Sequence, residues 1–413
     1  MQLPTNQILL GDALEHLQQL PDESIDLVVT DPPYALTSGE YKPDKKYSGG
    51  FMNKDWDKAV VSTDVWKECL RVLKSGAFAF VMSAPRQDVL SRMICNLQDA
   101  GFRTDFTSIY WTYSSGFPKA ANTAKLLKKR GIDKPELEGS YLGFQPKPAL
   151  EVILVVMKPL SEKTFVDQAL KNGKGCTWLD DCKIPFQNES DYVAALNAHR
   201  DPGISFKKDG RKNPLATGGS QSDEKGRFPA NLLCSDDSLN DGTTHTSGAR
   251  EQHHNFTADK TKGIYGKFKH NRSYNSKSSG SYSRYFDLDA WYSAQFIITP
   301  KASSSERNKG LSDLEPTTVN DGRKTPIDNP FQRGETIRHN SHPTTKPIKL
   351  MSYLITMGSR PDNIILDPFI GSGTTAIAAY TLNRKFIGIE KNPEYYEIAQ
   401  KRIKPYLIQQ KLA

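Results

Sequence analysis

One stretch near the C-terminal end, IILDPFIGSGTTAIAA (364–379), restricts the fold of this chain more than any other. An apolar run meets a turn with two glycines, and a helix-forming run follows. Gly371-Ser372-Gly373-Thr374-Thr375-Ala376 fits G-x-G-x-x-[G/A]. Without a Cβ, such glycines let the backbone turn tightly and approach a ligand. Glu390 stands 19 residues after Gly371, at the end of the next apolar run. A carboxylate there can accept hydrogen bonds from ribose hydroxyls. Strand, turn, helix, strand and acid together predict a nucleoside-type cofactor. A dinucleotide fold opens with this unit, whereas here it lies near the end of 413 residues. Strands from the N-terminal part must therefore complete the same sheet.

Those strands are visible as alternation with helical spacing. Runs at 7–10, 25–30, 77–82, 106–113 and 152–157 read as strands. Segments 13–20, 63–73 and 89–97 read as helices between them. After the insert, 348–357, 374–382 and 394–408 read as helices, and 363–366 and 385–389 as strands. Strands alternating with helices predict a parallel sheet covered on both faces. The expected division is 1–160, then a polar insert at 161–340, then 341–413. Between 241 and 285 the insert carries eight Lys/Arg against three Asp/Glu, with ten Tyr, Phe and His among them. Cations that meet phosphates and rings that stack on bases suit a nucleic-acid surface, while the same composition also suits a solvated loop.

Composition limits the alternatives. The chain is 25% charged and 37% apolar, and no stretch approaches the ~18 apolar residues of a membrane helix. The N-terminus has no signal-peptide pattern, so a cytoplasmic protein with no membrane partner is expected. Five scattered cysteines offer no second close pair to complete a zinc site beside Cys176 and Cys182, and no metal is expected. The net charge of +8 favours a polyanionic partner. No G-x-x-x-x-G-K-[ST] loop for an ATP motor is present.

Thr30-Asp31-Pro32-Pro33-Tyr34 follows the apolar run at 25–29. Taken alone it is what a turn looks like, since Asp favours turns and Pro fixes φ. Asp12, at the end of the first strand in LLGDAL, lies where sheet ligands bind and can hold the amino group of a cofactor adenine. SHPTTKP (341–347) offers His342 and Lys346 near the cofactor's carboxylate end.

With these residues in place, the chain resembles a DNA amino-methyltransferase of the β group, of a phage or prophage kind. That group carries D/S-P-P-Y/W before F-x-G-x-G, matched by Asp31 to Tyr34 and by Phe369 to Gly373. It also carries H-P-T-x-K-P, matched by His342 to Pro347. GGFMNKDWD, SSGFPKA, KPALEVILVVMKP and GRFPANLL add to the likeness. The resemblance implies a seven-stranded, Rossmann-like S-adenosyl-L-methionine-dependent sheet, circularly permuted, with an inserted target-recognition region. It implies cofactor contacts by Asp12, Asp367, Phe369, Gly371, Gly373, Glu390 and Lys346. It implies target-base contacts by Asp31, Pro32 and Tyr34. The Gly/Lys-rich 35–56 segment reads as a gate, double-stranded DNA as the partner, and a homodimer as one option for assembly.

The tetrapeptide then has a chemical reading. An exocyclic amine is a poor nucleophile because its lone pair is delocalised into the ring. Two acceptors, the Asp31 carboxylate and the Pro32 carbonyl, can draw the nitrogen toward tetrahedral geometry. Tyr34 can stack on a base flipped from the helix. The methyl already sits on a sulfonium, so a metal is not needed. In the resembled group Asp goes mostly with N6-adenine and Ser mostly with N4-cytosine. N6-methyladenine is thus the expected product and N4-methylcytosine the alternative. No cysteine follows a proline, as 5-methylation of cytosine would want. A nicotinamide oxidoreductase leaves Asp-Pro-Pro-Tyr unexplained, and a non-catalytic DNA-binding protein leaves the intact Asp31 unexplained.

Overall fold

The structure is a computed structural model. It describes residues 3–36, 57–113, 120–144, 149–189, 226–240, 278–295, 304–312 and 344–411, with a few shorter pieces between. Most of the gate at 35–56 and most of the basic, aromatic stretch at 241–285 lie outside the described residues, as does 114–119.

Among the described residues, twelve strands follow one another along the chain. They are β1 (Gln7–Leu10), β2 (Leu27–Thr30), β3 (Phe78–Ser83), β4 (Ile109–Thr112), β5 (Leu150–Met157), β6 (Leu232–Cys234), β7 (His245–Ser247), β8 (Ser278–Gly280), β9 (Thr317–Val319), β10 (Thr336–Arg338), β11 (Ile364–Asp367) and β12 (Lys385–Glu390). The helices described with them are α1 (Ala13–Gln19), α2 (Thr63–Val72), α3 (Gln87–Asp99), α4 (Thr123–Lys128), α5 (Phe165–Asn172), α6 (Leu288–Gln295), α7 (Ser304–Asn308), α8 (Ile348–Gly358), α9 (Thr374–Thr381) and α10 (Pro393–Lys411). No helix among the described residues is long and apolar enough to cross a membrane.

One sheet of eight strands has the order β1-β12-β11-β2-β3-β5-β4-β6. The first and last parts of the chain interleave: β1 pairs with β12, and β11 pairs with β2, all parallel. Within this sheet β5 alone runs against its neighbours, β3 and β4. The seven strands expected become eight because Leu232–Cys234, from the polar insert, adds a parallel edge strand beside β4. Its short apolar run is hidden among polar residues, and pairing with β4 rather than local pattern makes it a strand.

Alternation along each strand divides the core between two faces. Leu27, Val29, Phe78, Phe80 and Met82 face α8 and α9. Val28, Ala79 and Val81 face α1, α2 and α3. Helix α2 presents Trp66, Cys69 and Val72 at helical spacing, all buried. Every residue of α8 is buried. At Gly358 a Cβ would lie 2.6 Å from a Leu27 methyl, so glycine sets how closely that helix meets the sheet. Described pieces of the insert join the same core. Trp291 of α6 packs edge-on against Tyr353, centroids 4.9 Å apart, and gives its indole N–H to the Asp181 carbonyl at 2.9 Å.

Between β4 and β5, residues 120–144 form a small projection that contains α4. It is closed at its base where Thr123 donates to the Ser140 carbonyl (3.0 Å) and Leu142 to that of Ala121 (2.9 Å). Since β4 is parallel to β2 through the register of β3 and β5, this projection leaves from the edge where β2 and β11 end.

Candidate active site

Strand β11 continues through α9 to β12 on one side, and β2 continues through α2 to β3 on the other. Two adjacent parallel strands whose connections diverge leave a crevice beyond their carboxyl ends, where open α/β sheets take ligands. Both sequence motifs stand at this point, Asp31-Pro32-Pro33-Tyr34 after β2 and the glycine loop after β11. The Thr30 hydroxyl donates to Asp367 Oδ1 at 2.6 Å and ties the two strand ends together.

The loop half is built around Asp367 and Glu390. Asp367 is buried and also accepts from the Phe369 N–H (3.0 Å) and the Thr375 hydroxyl (2.6 Å). Burial pushes its carboxyl up to about 6 against these three bonds. It therefore shapes the loop from within rather than presenting a free carboxylate. Phe369 packs edge-on against Trp66 with centroids 6.2 Å apart. Gly371 has φ +53° and Gly373 φ +83°, conformations that L side chains rarely adopt. A Cβ at Gly371 would lie 2.7 Å from His342 Nε2, and one at Gly373 3.1 Å from the Ala399 backbone. Glu390 Oε2 accepts the Gly371 N–H (2.9 Å) and Oε1 that of Asn392 (2.8 Å). Burial raises this carboxyl above its ordinary range, while those N–H groups hold it down. Asp12 caps α1 through the Leu14 N–H and pairs with Lys391, each at 2.9 Å. The Lys391 ammonium holds its carboxyl below the usual range. Leu10 lies in register with Glu390, so Asp12 belongs to the same edge.

The other half gathers four side chains from three parts of the chain. Asp31 Oδ1 accepts from the Tyr34 hydroxyl at 2.5 Å, and Oδ2 takes the Lys346 ammonium at 2.5 Å. Glu151, on β5, also reaches both, with Oε2 at 3.1 Å from the Tyr34 hydroxyl and 3.4 Å from Lys346 Nζ. Lys346 Nζ lies 5.4 Å from the Tyr34 ring centroid. Burial alone would lower the Lys346 ammonium, but the carboxylates of Asp31 and Glu151 outweigh it and hold it above its usual range. Burial and the same two carboxylates push the Tyr34 phenol well up. Pro32 is buried beneath the turn. Ala35, the next residue after Tyr34, has φ +55°. Asp57 holds this strained turn by accepting the N–H groups of Ala35 (2.7 Å) and Leu36 (3.0 Å).

The 342–346 segment bridges the halves. His342 lies over Gly371 and packs edge-on against Tyr395, centroids 4.5 Å apart. The hydroxyls of Thr345 and Ser372 are 3.2 Å apart, and Lys346 ends on Asp31. From α10, Arg402 donates to the Ser372 carbonyl at 2.5 Å and lies 2.9 Å from its hydroxyl. Lys346, expected at a cofactor's carboxylate end, is thus paired with the Asp-Pro-Pro-Tyr aspartate. The other expected residues stand at the same carboxyl edge of the sheet, with Asp367, expected at the cofactor, buried inside the loop instead. Glu151, Asp57 and Arg402 were not foreseen. Glu151 is the one acid in an otherwise apolar strand, LEVILVVM, and that interruption was the only signal of it in the sequence.

Comparisons with known proteins place the chain in a family. A family model described as DNA methylase (N6_N4_Mtase) matches residues 25–401. The type II methyltransferase M2.LlaDCHI of Lactococcus lactis subsp. cremoris is 48% identical over 62 residues, 15% of this chain and 23% of that protein. M.HindIII of Haemophilus influenzae is 52% identical over 62 residues, 15% of this chain and 20% of its own length. The chain thus matches less than a quarter of the length of these curated relatives. Among solved structures, the PvuII DNA methyltransferase (cytosine-N4-specific) aligns over 96% of this chain and 85% of its own, with a TM-score of 0.43 and 16% identity. The family model takes in the sheet from the residues before β2 to α10 and both motifs at its carboxyl edge: this chain belongs to the DNA methylase family.

Proposed function

We propose that the protein transfers a methyl group from S-adenosyl-L-methionine to N6 of an adenine flipped out of double-stranded DNA. The observation that carries this reading is the Thr30–Asp367 bond, which brings an Asp-Pro-Pro-Tyr turn and a glycine loop to one crevice. S-Adenosyl-L-methionine is the cofactor. The residues fit it: the two left-handed glycines allow the tight loop that brings backbone to the crevice, and the buried Glu390 carboxylate suits ribose hydroxyls. When bound, it supplies a methyl group already activated as a sulfonium. Catalytic turn first and glycine loop second along the chain fits a circular permutation of the methyltransferase sheet, with target recognition supplied by the insert.

The chain's own residues do the rest. Asp31 and the Pro32 carbonyl accept the two N–H groups of the amine, and Asp31 stabilises positive charge as nitrogen attacks. Tyr34 packs on the extruded base. Asp57 holds the turn so that these acceptors stay aligned with the methyl carbon. The projection at 120–144 rises from the same edge and suits a duplex. Lys125, Lys128, Lys129 and Arg130 are exposed there, beside an open Tyr141 and a 92% exposed Phe144.

Incubation of the protein with duplex DNA and the cofactor, then digestion to nucleosides and mass spectrometry, tests the reading. N6-methyladenine is expected. N4-methylcytosine would overturn the base assignment and keep the mechanism, and 5-methylcytosine would overturn both. No methylated nucleoside, with DNA still bound, would favour a non-catalytic DNA-binding protein.

A further inference from the structure

Both oxygens of Asp31 are already engaged, one by the Tyr34 hydroxyl and one by Lys346. Each oxygen keeps a second lone pair, but an amine that turns cationic on this carboxylate is opposed by the Lys346 ammonium already on it, so its stabilisation favours moving that partner away. A buried ammonium or hydroxyl left without a partner would cancel much of what the new hydrogen bond supplies. The same two partners are within reach of a second carboxylate. Glu151 Oε2 is 3.1 Å from the Tyr34 hydroxyl and 3.4 Å from Lys346 Nζ, longer in each case than the distance to Asp31. Glu151 is opposite Trp111 in the register of β4 and β5, on a strand whose other side chains are apolar. The acceptor chemistry assigned to the Asp-Pro-Pro-Tyr turn does not use it.

We propose that Glu151 is a positioning residue that takes over Lys346 and the Tyr34 hydroxyl from Asp31 when the target amine arrives. The exchange frees Asp31 without leaving a buried ammonium unpaired. Lys346 then shields the two carboxylates from each other before the base enters and is held aside by Glu151 afterwards. The proposal rests on the methyl-transfer reading above. Burial raises the Glu151 carboxyl; Lys346 opposes that rise and Asp31 adds to it, so the three groups respond to one another. Tyr113, beyond the end of β4, is a further titratable neighbour, its phenol pushed up to about 12 by burial and by Glu151.

The test is the single-turnover rate of methyl transfer at saturating S-adenosyl-L-methionine and duplex DNA, so that affinity changes drop out. Glu151→Gln keeps the shape and removes the charge, so Lys346 stays on Asp31. A slowing of at least ten-fold is expected. Lys346→Met added to Glu151→Gln removes the cation held on Asp31, and the double variant should transfer faster than Glu151→Gln alone. Glu151→Asp retains a carboxylate and should lose less rate than Glu151→Gln. A wild-type rate for Glu151→Gln overturns the proposal. So does a double variant no faster than Glu151→Gln, or equal losses for Asp and Gln. The wild-type arm separates the two levels. No methyl transfer by the wild type would remove the reaction itself, whereas transfer unaffected by Glu151→Gln would remove only the exchange.

Discussion

Thr30 and Asp367 are 337 residues apart in the chain, and the hydroxyl of one donates to the carboxylate of the other at 2.6 Å. This bond joins the ends of β2 and β11, and so ties the turn after one to the loop after the other. Asp31 is the next residue after Thr30, which places its carboxylate at a fixed offset from the glycine loop. Alignment of nucleophile and methyl group depends on such an offset, and small displacements at a reacting centre are costly in rate.

Asp31→Ala should lower methyl transfer by roughly 10²–10³-fold or more, the scale of losing one group that stabilises developing charge. Cofactor affinity should stay near wild type, because Asp31 bonds to Tyr34 and Lys346 and not to the loop. Calorimetry with S-adenosyl-L-methionine and a labelled-methyl assay measure the two separately. Wild-type turnover would sink the mechanism.

Gly371→Val should abolish cofactor binding in a folded protein. The backbone there has φ +53°, and the new Cβ would meet His342 Nε2 at 2.7 Å. Calorimetry checks binding and circular dichroism checks folding. Normal binding by the folded variant would show that the cofactor does not use this loop.

Asp367 should make stability depend on pH. Its carboxyl is pushed up to about 6 by burial, whereas an unfolded aspartate titrates near ~3.9. Between those values the folded state holds the extra proton, so its contribution is full below about pH 4 and is lost as pH rises through about 6. Asp367→Asn cannot ionise. Relative to it, the wild type should lose stability on the order of 3 kcal/mol across that window. Paired thermal melts from pH 4 to 7 measure the difference, and a gap that stays constant would mean that Asp367 titrates normally.

Lys128→Glu, Lys129→Glu and Arg130→Glu together should weaken duplex binding and leave cofactor binding unchanged. All three are exposed on the projection that rises from the site edge. The slope of log affinity against log salt should become shallower by about one for each phosphate no longer neutralised. Binding measured by fluorescence anisotropy across a salt series decides it; an unchanged slope would take the projection off the DNA.

Local chemistry is enough to read the strands and helices of the last 70 residues and those of the first 160 apart from α4 (Thr123–Lys128), a six-residue helix with little apolar periodicity. Apolar periodicity follows from which face of an element is buried, and the two glycines follow from a turn that no side chain allows. Asp31, Tyr34 and Gly371 are legible because each sits in a short motif whose backbone shape is local, and Glu390 because a strand–helix–strand unit fixes its spacing from the glycine loop. Pairing was decided by tertiary structure. Leu232–Cys234 becomes an eighth strand because β4 has a free edge, not because its three residues demand it. Lys346 meets Asp31 across 315 positions, Glu151 reaches the Tyr34 hydroxyl from 117 positions away, and Asp57 closes the turn at Ala35 from 22 residues away. A charge in a sequence carries no record of its partner. Burial and distance set what it does, and both exist only once the sheet has closed around it.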